Sequence, residues 1–201
     1  PLISMLYKDT SAPGGGTAIE GSSKYDLIQT GIGIKKMVHP ESKNKLASNV
    51  KMYPFPLIRL ADLYLMYAEA LCMLGEDLGT AAEYVNKVRH RAGLKPLAES
   101  WDVYTTLKSS NQADLLEMIK WERRVELCFE GHRYFDVVRW LEGDKYFNSP
   151  IRGWNYQGTK AAQFYTITNL YSRQWSNKNY LWPLTSSEID KNPRLVQNPW
   201  W

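Results

Sequence analysis

Two stretches in the middle of the chain carry apolar residues at every third or fourth position, which is the spacing of one helix face. The first stretch covers residues 56–74 and is followed by Gly75, a residue that suits a left-handed helix end. The second stretch opens at Thr80, has Glu83 at the spacing of a capping box, and runs to Gly93. The pattern therefore predicts a helical hairpin of the tetratricopeptide type.

A third helical pattern follows an irregular stretch of the chain. Asp114 is placed to cap this helix, which is predicted to extend to Gly131. Residues 132–142 then return to helical spacing, with aromatic and aliphatic residues on one side. These patterns together predict a helical core over residues 56–142.

Helical periodicity is lost outside this core, where Gly, Ser, Asn and Pro interrupt the apolar positions. One short β-hairpin is predicted around the turn at Thr30 and Gly31, with its strands at 25–29 and 32–38. The predicted fold is mainly α and forms one domain over residues 1–201. Its remaining segments are a loop-rich lead-in over 1–50, long irregular and variable aromatic loops over 143–180, and an extended tail over 181–201.

The composition is that of a globular protein, with 44% hydrophobic and 23% charged residues among 201. The formal net charge is +4, and basic residues are scattered among acidic ones, so no nucleic-acid partner is expected. Cys72 and Cys128 lie in apolar helical stretches and predict buried or free thiols rather than a disulfide. The spacing of His, Cys and carboxylate residues matches no metal motif, so we expect neither metal nor cofactor. The first residue is Pro1, so a preceding segment is expected.

Glu122 and Glu126 lie one turn apart in an otherwise apolar row of the third helix. Retaining glycosidases hold two carboxyl groups about 5 to 5.5 Å apart, so this pair allows a glycosidase hypothesis. Arg123 and Arg124 lie within a turn of both glutamates and favour paired, ionised carboxylates instead. We therefore expect the two glutamates to be structural.

Aromatic residues are unusually frequent, with eight Trp and thirteen Tyr, and many occur in polar, non-periodic stretches. A flat aromatic ring can stack on the apolar face of a pyranose while neighbouring amides bind its hydroxyls. Trp154, Tyr156 and Trp175 have such neighbours and are the predicted ligand-binding residues. Packing against the protein itself is the alternative explanation for each ring.

Four segments, in order, resemble the SusD/RagB family, the surface nutrient-binding lipoproteins of Bacteroidetes. The first three are PLIRLADLYLMYAEA at 56–70, VNKVRHRAGL at 85–94 and ERRVELCFEGHRYFDVVRW at 122–140. The fourth is the ending, with WPL at 182–184, Glu188-Ile189, Asn192-Pro193 and QNP at 197–199. Family members are typically much longer, so this chain looks like a carboxy-terminal part.

The resemblance implies a protein without catalytic activity that binds an oligosaccharide at the cell surface. It also implies delivery to a SusC-like TonB-dependent transporter, an outer-membrane location, and a lipid anchor on the missing amino terminus. A tetratricopeptide-like scaffold that binds only a protein is the leading alternative function, ahead of the glycosidase. Within the matched motifs, the charged residues suited to structural ion pairs between helices are Arg59, Glu69, Arg89, Glu122, Arg123, Glu126 and Arg133.

Overall fold

The computed structural model describes residues 3–5, 32–34, 36, 37, 39, 41, 51, 52, 54–155 and 161–201. The chain divides into two compact units. The helical unit is Pro56–Asp136, and the mixed unit consists of Pro1–Phe55 and Val137–Trp201. Helices dominate the described elements, so the predicted mainly α fold is confirmed.

Three long helices form the centre of the helical unit. They are α1 (Leu60–Leu74), α2 (Leu78–Arg91) and α4 (Gln112–Glu126), with the short α3 (Trp101–Tyr104) in the connection between the last two. The chain leaves this unit through α5 (His132–Arg139). Each of the three long helices packs against the other two. The core between them contains the fully buried side chains of Leu65, Cys72, Val85, Leu97, Leu115, Met118 and Ile119.

Two helices start earlier than predicted, because an Asp or Asn upstream of each expected cap supplies the capping oxygen. The Asp77 carboxylate accepts a hydrogen bond from the Thr80 backbone N–H at 2.8 Å, so Asp77 rather than Thr80 caps α2. Asn111 caps α4 in the same way, accepting from the Asp114 N–H at 3.1 Å. In both helices, the capping hydrogen bond is made by the side chain three residues before the expected cap.

The two glycines of the hairpin lie where the sequence predicts helix ends. Gly75 has φ of 74° and Gly93 has φ of 73°, both in the left-handed region that favours glycine. The predicted end of the third helix at Gly131 is wrong. Helix α4 ends at Glu126, and Phe129 already has a positive φ of 63°, which the α-helix does not tolerate.

Short elements form the mixed unit. Strands β1 (Ile3–Met5) and β2 (Ile32–Ile34) are antiparallel, with Ile3 opposite Ile34. Strand β2 therefore pairs with a distant segment, and the other predicted hairpin strand, 25–29, lies outside the described residues.

Residues 143–180 are more regular than predicted. They contain α6 (Gly143–Phe147), α7 (Ala161–Phe164) and a 3-10 turn, together with β3 (Ile151–Trp154) and β4 (Ile167–Tyr171), which are antiparallel. Elements of four or five residues are too short to reveal a period in the sequence. The expected helical turn in the tail is present as α8 (Ser186–Lys191). None of the helices in the described part of the chain has the length and apolar character needed to cross a bilayer.

Candidate functional site

Arg123 is a buried charge that pairs with carboxylates of two other helices. It is 3% exposed, and its guanidinium donates two parallel hydrogen bonds to Asp136, each of 3.0 Å. Another nitrogen donates to Asp62 at 3.0 Å, and Glu69 lies 3.8 Å from Nε. Arg123 thus ties α4 to both α1 and the middle of α5.

A second buried pair joins α2 to α4. Arg89 and Glu122 are 6% and 8% exposed, and the Arg89 guanidinium donates directly to Glu122 Oε1. Arg89 also donates to Ser100 Oγ and to the Lys95 carbonyl, each at 2.8 Å. The indole N–H of Trp101 donates to the same Glu122 oxygen at 3.3 Å. This pair therefore fixes the connection between α2 and α4 as well as the two helices.

Glu126 and Glu130 share Arg59 at the start of α1. Arg59 donates to both oxygens of Glu130 at 2.7 and 2.8 Å and lies 2.9 Å from Glu126 Oε1. The hydrogen bonds to Glu130 raise the pKa of Arg59 above its ordinary value, against the lowering effect of burial. Arg91 binds the other Glu126 oxygen at 2.6 Å. Both Glu126 oxygens are therefore engaged by guanidinium groups.

These pairs bear on the glycosidase hypothesis for Glu122 and Glu126. A glycosidase general acid must carry a proton, whereas a guanidinium partner stabilises the charged carboxylate. Each of the two glutamates has such a partner, so their surroundings oppose acid catalysis. Arg133, the remaining residue of the predicted set, is half-buried at the start of α5, and its pairing stays a prediction.

Trp154 is the last residue of β3 and is half-buried. Its ring meets the exposed Tyr165 edge to face, with centroids 5.4 Å apart and an interplanar angle of 85°. Across the strand pair it lies opposite Ile167, which is exposed. The β3–β4 pair of strands thus places the rings of Trp154 and Tyr165 near the exposed side chain of Ile167. Tyr156 lies outside the described residues.

Trp175 lies in a more enclosed setting. Its ring sits 5.0 Å from the ring of Phe147 and 5.0 Å from that of Tyr180. It also covers Gly143, where a Cβ atom would overlap the indole. The Gly143 N–H donates to the Tyr180 hydroxyl at 2.8 Å, which completes the cluster. Both tryptophans are half-buried, but the Trp175 ring has two aromatic neighbours and Gly143 against it, whereas the Trp154 ring contacts Tyr165.

A pocket that the sequence analysis did not identify lies beside the Arg89–Glu122 pair. Its volume is about 220 Å³, and it is lined by Arg89, Ser100, Trp101, Tyr104 and Thr105. The two aromatic residues are three apart in the short helix α3, which places them on one side. The spacing of the two aromatic residues is visible in the sequence, but a helix of four residues is too short to be predicted from periodicity. The arginine is contributed by a different helix, so sequence alone gives no signal of the pocket.

Comparison with known proteins identifies the family of the chain. A family model described as the SusD family matches residues 11–201. The chain belongs to the SusD family.

Individual relatives support the same assignment. A SusD-like protein of Formosa agariphila is 31% identical over 142 residues, which are 71% of this chain. The starch-binding protein SusD of Bacteroides thetaiotaomicron is 28% identical over 199 residues, or 96% of this chain and 30% of that protein. The crystal structure of a SusD-like protein from Bacteroides fragilis superposes with a TM-score of 0.69 at 30% identity, covering 88% of this chain and 31% of that one. The chain spans about a quarter of the Formosa relative's length, 24%.

Proposed function

We propose that this chain is part of a non-catalytic protein that binds an oligosaccharide nutrient at the cell surface. The observation that carries the proposal is the family match over residues 11–201, together with a relative named as starch-binding that aligns over 96% of the chain. The ion pairs of Glu122 and Glu126 with arginine support a role without acid catalysis.

The wider role follows from the same family membership. The bound oligosaccharide is passed to a SusC-like TonB-dependent transporter in the outer membrane. A lipid anchor on a preceding segment holds the protein at that membrane. Each of these statements concerns the whole protein and is tested on it.

Within this chain, the β3–β4 hairpin is the proposed contact with the oligosaccharide. Trp154 has a half-buried indole with Tyr165 at its side, and a pyranose can stack on the part of the ring that stays accessible. Trp175 is the second proposed contact, and the rings of Phe147 and Tyr180 already pack against its indole. We therefore expect the larger effect on binding at Trp154.

A glycan array followed by calorimetry tests this proposal on the full-length protein and on this chain. We expect Trp154→Ala to weaken binding about threefold to tenfold, as for the loss of one stacked ring, without changing the melting temperature. Trp182→Ala is the matched control, because Trp182 is an exposed tryptophan of the same unit outside the proposed site. Equal weakening by both variants would contradict a site at Trp154.

The catalytic alternative is tested with the glycan that binds best. Incubation with the parent protein is expected to release no shorter sugars. Hydrolysis that Glu122→Gln or Glu126→Gln abolished, with unchanged melting, would overturn the binding-protein proposal.

A protein-binding scaffold is the second candidate function, and one observation favours it. Helix α1 exposes Leu60, Leu63, Met66 and Tyr67 to a considerable extent. Apolar surface of this kind is typical of protein interfaces. The absence of binding to any glycan by the full-length protein would favour this candidate.

A further inference from the structure

The pocket beside α3 combines two aromatic walls with a buried arginine. Trp101 is half-buried and packs against the core, and its indole is oriented by the hydrogen bond to Glu122. Tyr104 is 78% exposed and forms the outer wall. Pockets for drug-sized ligands measure about 300 to 1,000 Å³. A volume of about 220 Å³ therefore suits a single six-membered ring.

The serine and threonine hydroxyl groups that line the pocket are already hydrogen-bonded within the protein. Ser100 Oγ donates to the Pro96 carbonyl while it accepts from Arg89, and Thr105 Oγ1 donates to the Trp101 carbonyl. An arginine has five N–H hydrogens. Three of them have acceptors within the described part of the chain. The other two have no acceptor among the described residues, and Arg89 is one of the residues that line the pocket.

Charge selects among the possible ligands. The positive charge of Arg89 is matched by Glu122 in direct contact, so the pair presents no net charge to the pocket. An anionic ligand would bring an unbalanced charge to a largely desolvated pair, which is costly. A neutral hydroxyl can accept a guanidinium hydrogen bond without that cost. Aromatic walls, a neutral floor and spare donors are the chemistry of a neutral sugar ring.

We propose that the pocket formed by Arg89, Trp101 and Tyr104 binds one neutral hexopyranose ring, as a site separate from Trp154. The sugar lies between the two aromatic rings and accepts a hydrogen bond from Arg89. This inference rests on the proposed function, because it supplies a second contact for an oligosaccharide on the same chain. A site for a single ring would bind a terminal or branch sugar of the oligosaccharide.

Saturation-transfer NMR titration with the methyl α-glycosides of glucose, galactose and mannose tests the proposal on this 201-residue chain. Tyr104→Ala is expected to weaken the binding of at least one hexoside about threefold to tenfold, with unchanged melting. Tyr104→Phe keeps the stacking ring and should bind like the parent. Val103→Ala is the matched control, because Val103 is an exposed residue of the same helix that does not line the pocket.

The anionic sugar D-glucuronate separates the neutral assignment from a general affinity of arginine. It is expected to bind more weakly than the neutral hexosides, and tighter binding would overturn the assignment. Hexoside binding that is equal in Tyr104→Ala and the parent would overturn the pocket itself. If Trp154→Ala still weakened oligosaccharide binding in that case, the proposed function would stand without the pocket. If the protein bound neither the hexosides nor any oligosaccharide, both proposals would be overturned. The pocket would then be left to a side chain of a protein partner.

Discussion

The two units of this protein differ in which side chains they bury and which they leave accessible. The helical unit buries charge: the buried polar residues of the described chain all lie in it, as Glu69, Arg89, Lys120, Glu122, Arg123 and Asp136. The mixed unit instead keeps large aromatic rings half-exposed, in small clusters around Trp154 and Trp175. The contrast separates buried charges that fix helix positions from half-exposed rings that can meet a ligand, and the pocket of Arg89, Trp101 and Tyr104 combines the two in the helical unit.

Burial explains why the two kinds of side chain differ in consequence. A buried ion pair is costly to desolvate, and removing one partner leaves the other charged and unpaired. Its loss is therefore felt as loss of stability. An aromatic ring with one open face contributes little to the fold through that face, and its loss is felt in binding. Mutations can test whether the two units divide in this way.

The largest expected effect is on Arg123. Arg123→Ala removes the guanidinium that binds Asp136 through two hydrogen bonds and that also lies beside Asp62 and Glu69. We expect the free energy of unfolding to fall by about 3 to 5 kcal/mol, measured by urea denaturation.

Arg91→Ala provides the matched control for that experiment. The Arg91 side chain is 60% exposed and makes its ion pair with Glu126 at the surface. An exposed pair is worth about 0 to 1 kcal/mol, so this variant should unfold nearly like the parent. Similar losses for Arg91→Ala and Arg123→Ala would show that burial is not what makes the network stabilising.

The next effect concerns the packing of the mixed unit at Gly143. A Cβ atom at this position would overlap the Trp175 indole, so Gly143→Ala must displace a ring that also contacts Phe147 and Tyr180. Overpacking of this kind costs about 1 to 3 kcal/mol, which urea denaturation measures. Gly79→Ala is the control, because its nearest neighbour is 3.5 Å away and it lies in helix α2. That variant should be at least as stable as the parent, because alanine has the higher helix propensity.

A smaller effect is expected at the end of α2. Gly93 has φ of 73° and open space where a Cβ atom would lie, so Gly93→Val introduces backbone strain without a steric clash. The strain of a left-handed residue is about 1 to 2 kcal/mol, and the melting temperature should fall accordingly. Gly93→Asn should lose less, because asparagine adopts this conformation more readily. Equal losses for valine and asparagine would contradict an origin in backbone strain.

The sequence predicted the periodic part of the molecule better than the rest. The hairpin helices and the glycines that end them could be read from local spacing, because each signal lies within a few residues. The caps at Asp77 and Asn111 were missed because Thr80 and Asp114 also satisfy a capping pattern. Only the folded backbone shows which side chain is positioned to accept a hydrogen bond from the N–H groups at the start of the helix.

The site was harder to predict for a related reason. Trp154 and Trp175 could be chosen as aromatic residues with polar neighbours, but their packing depends on Tyr165 in one case and Gly143 in the other. The pocket of Arg89 and Trp101 joins residues from two helices that only tertiary packing brings together. Non-local contacts of this kind leave no period in a single sequence.

The smallest predicted effect is a pH dependence at the start of the helical hairpin. The pKa of Asp77 lies below its ordinary value because its carboxylate accepts hydrogen bonds from Thr80. A lowered pKa in the folded state means that the stabilisation is present above the unfolded pKa and is lost as the pH falls through the folded one. Asp77→Asn keeps a capping oxygen but has no charge to titrate. The parent should therefore be the more stable protein at about pH 7, and urea denaturation should show the two converging towards about pH 3. A difference that stayed constant over this range would mean that the hydrogen bond alone, and not the carboxylate charge, holds the cap of α2.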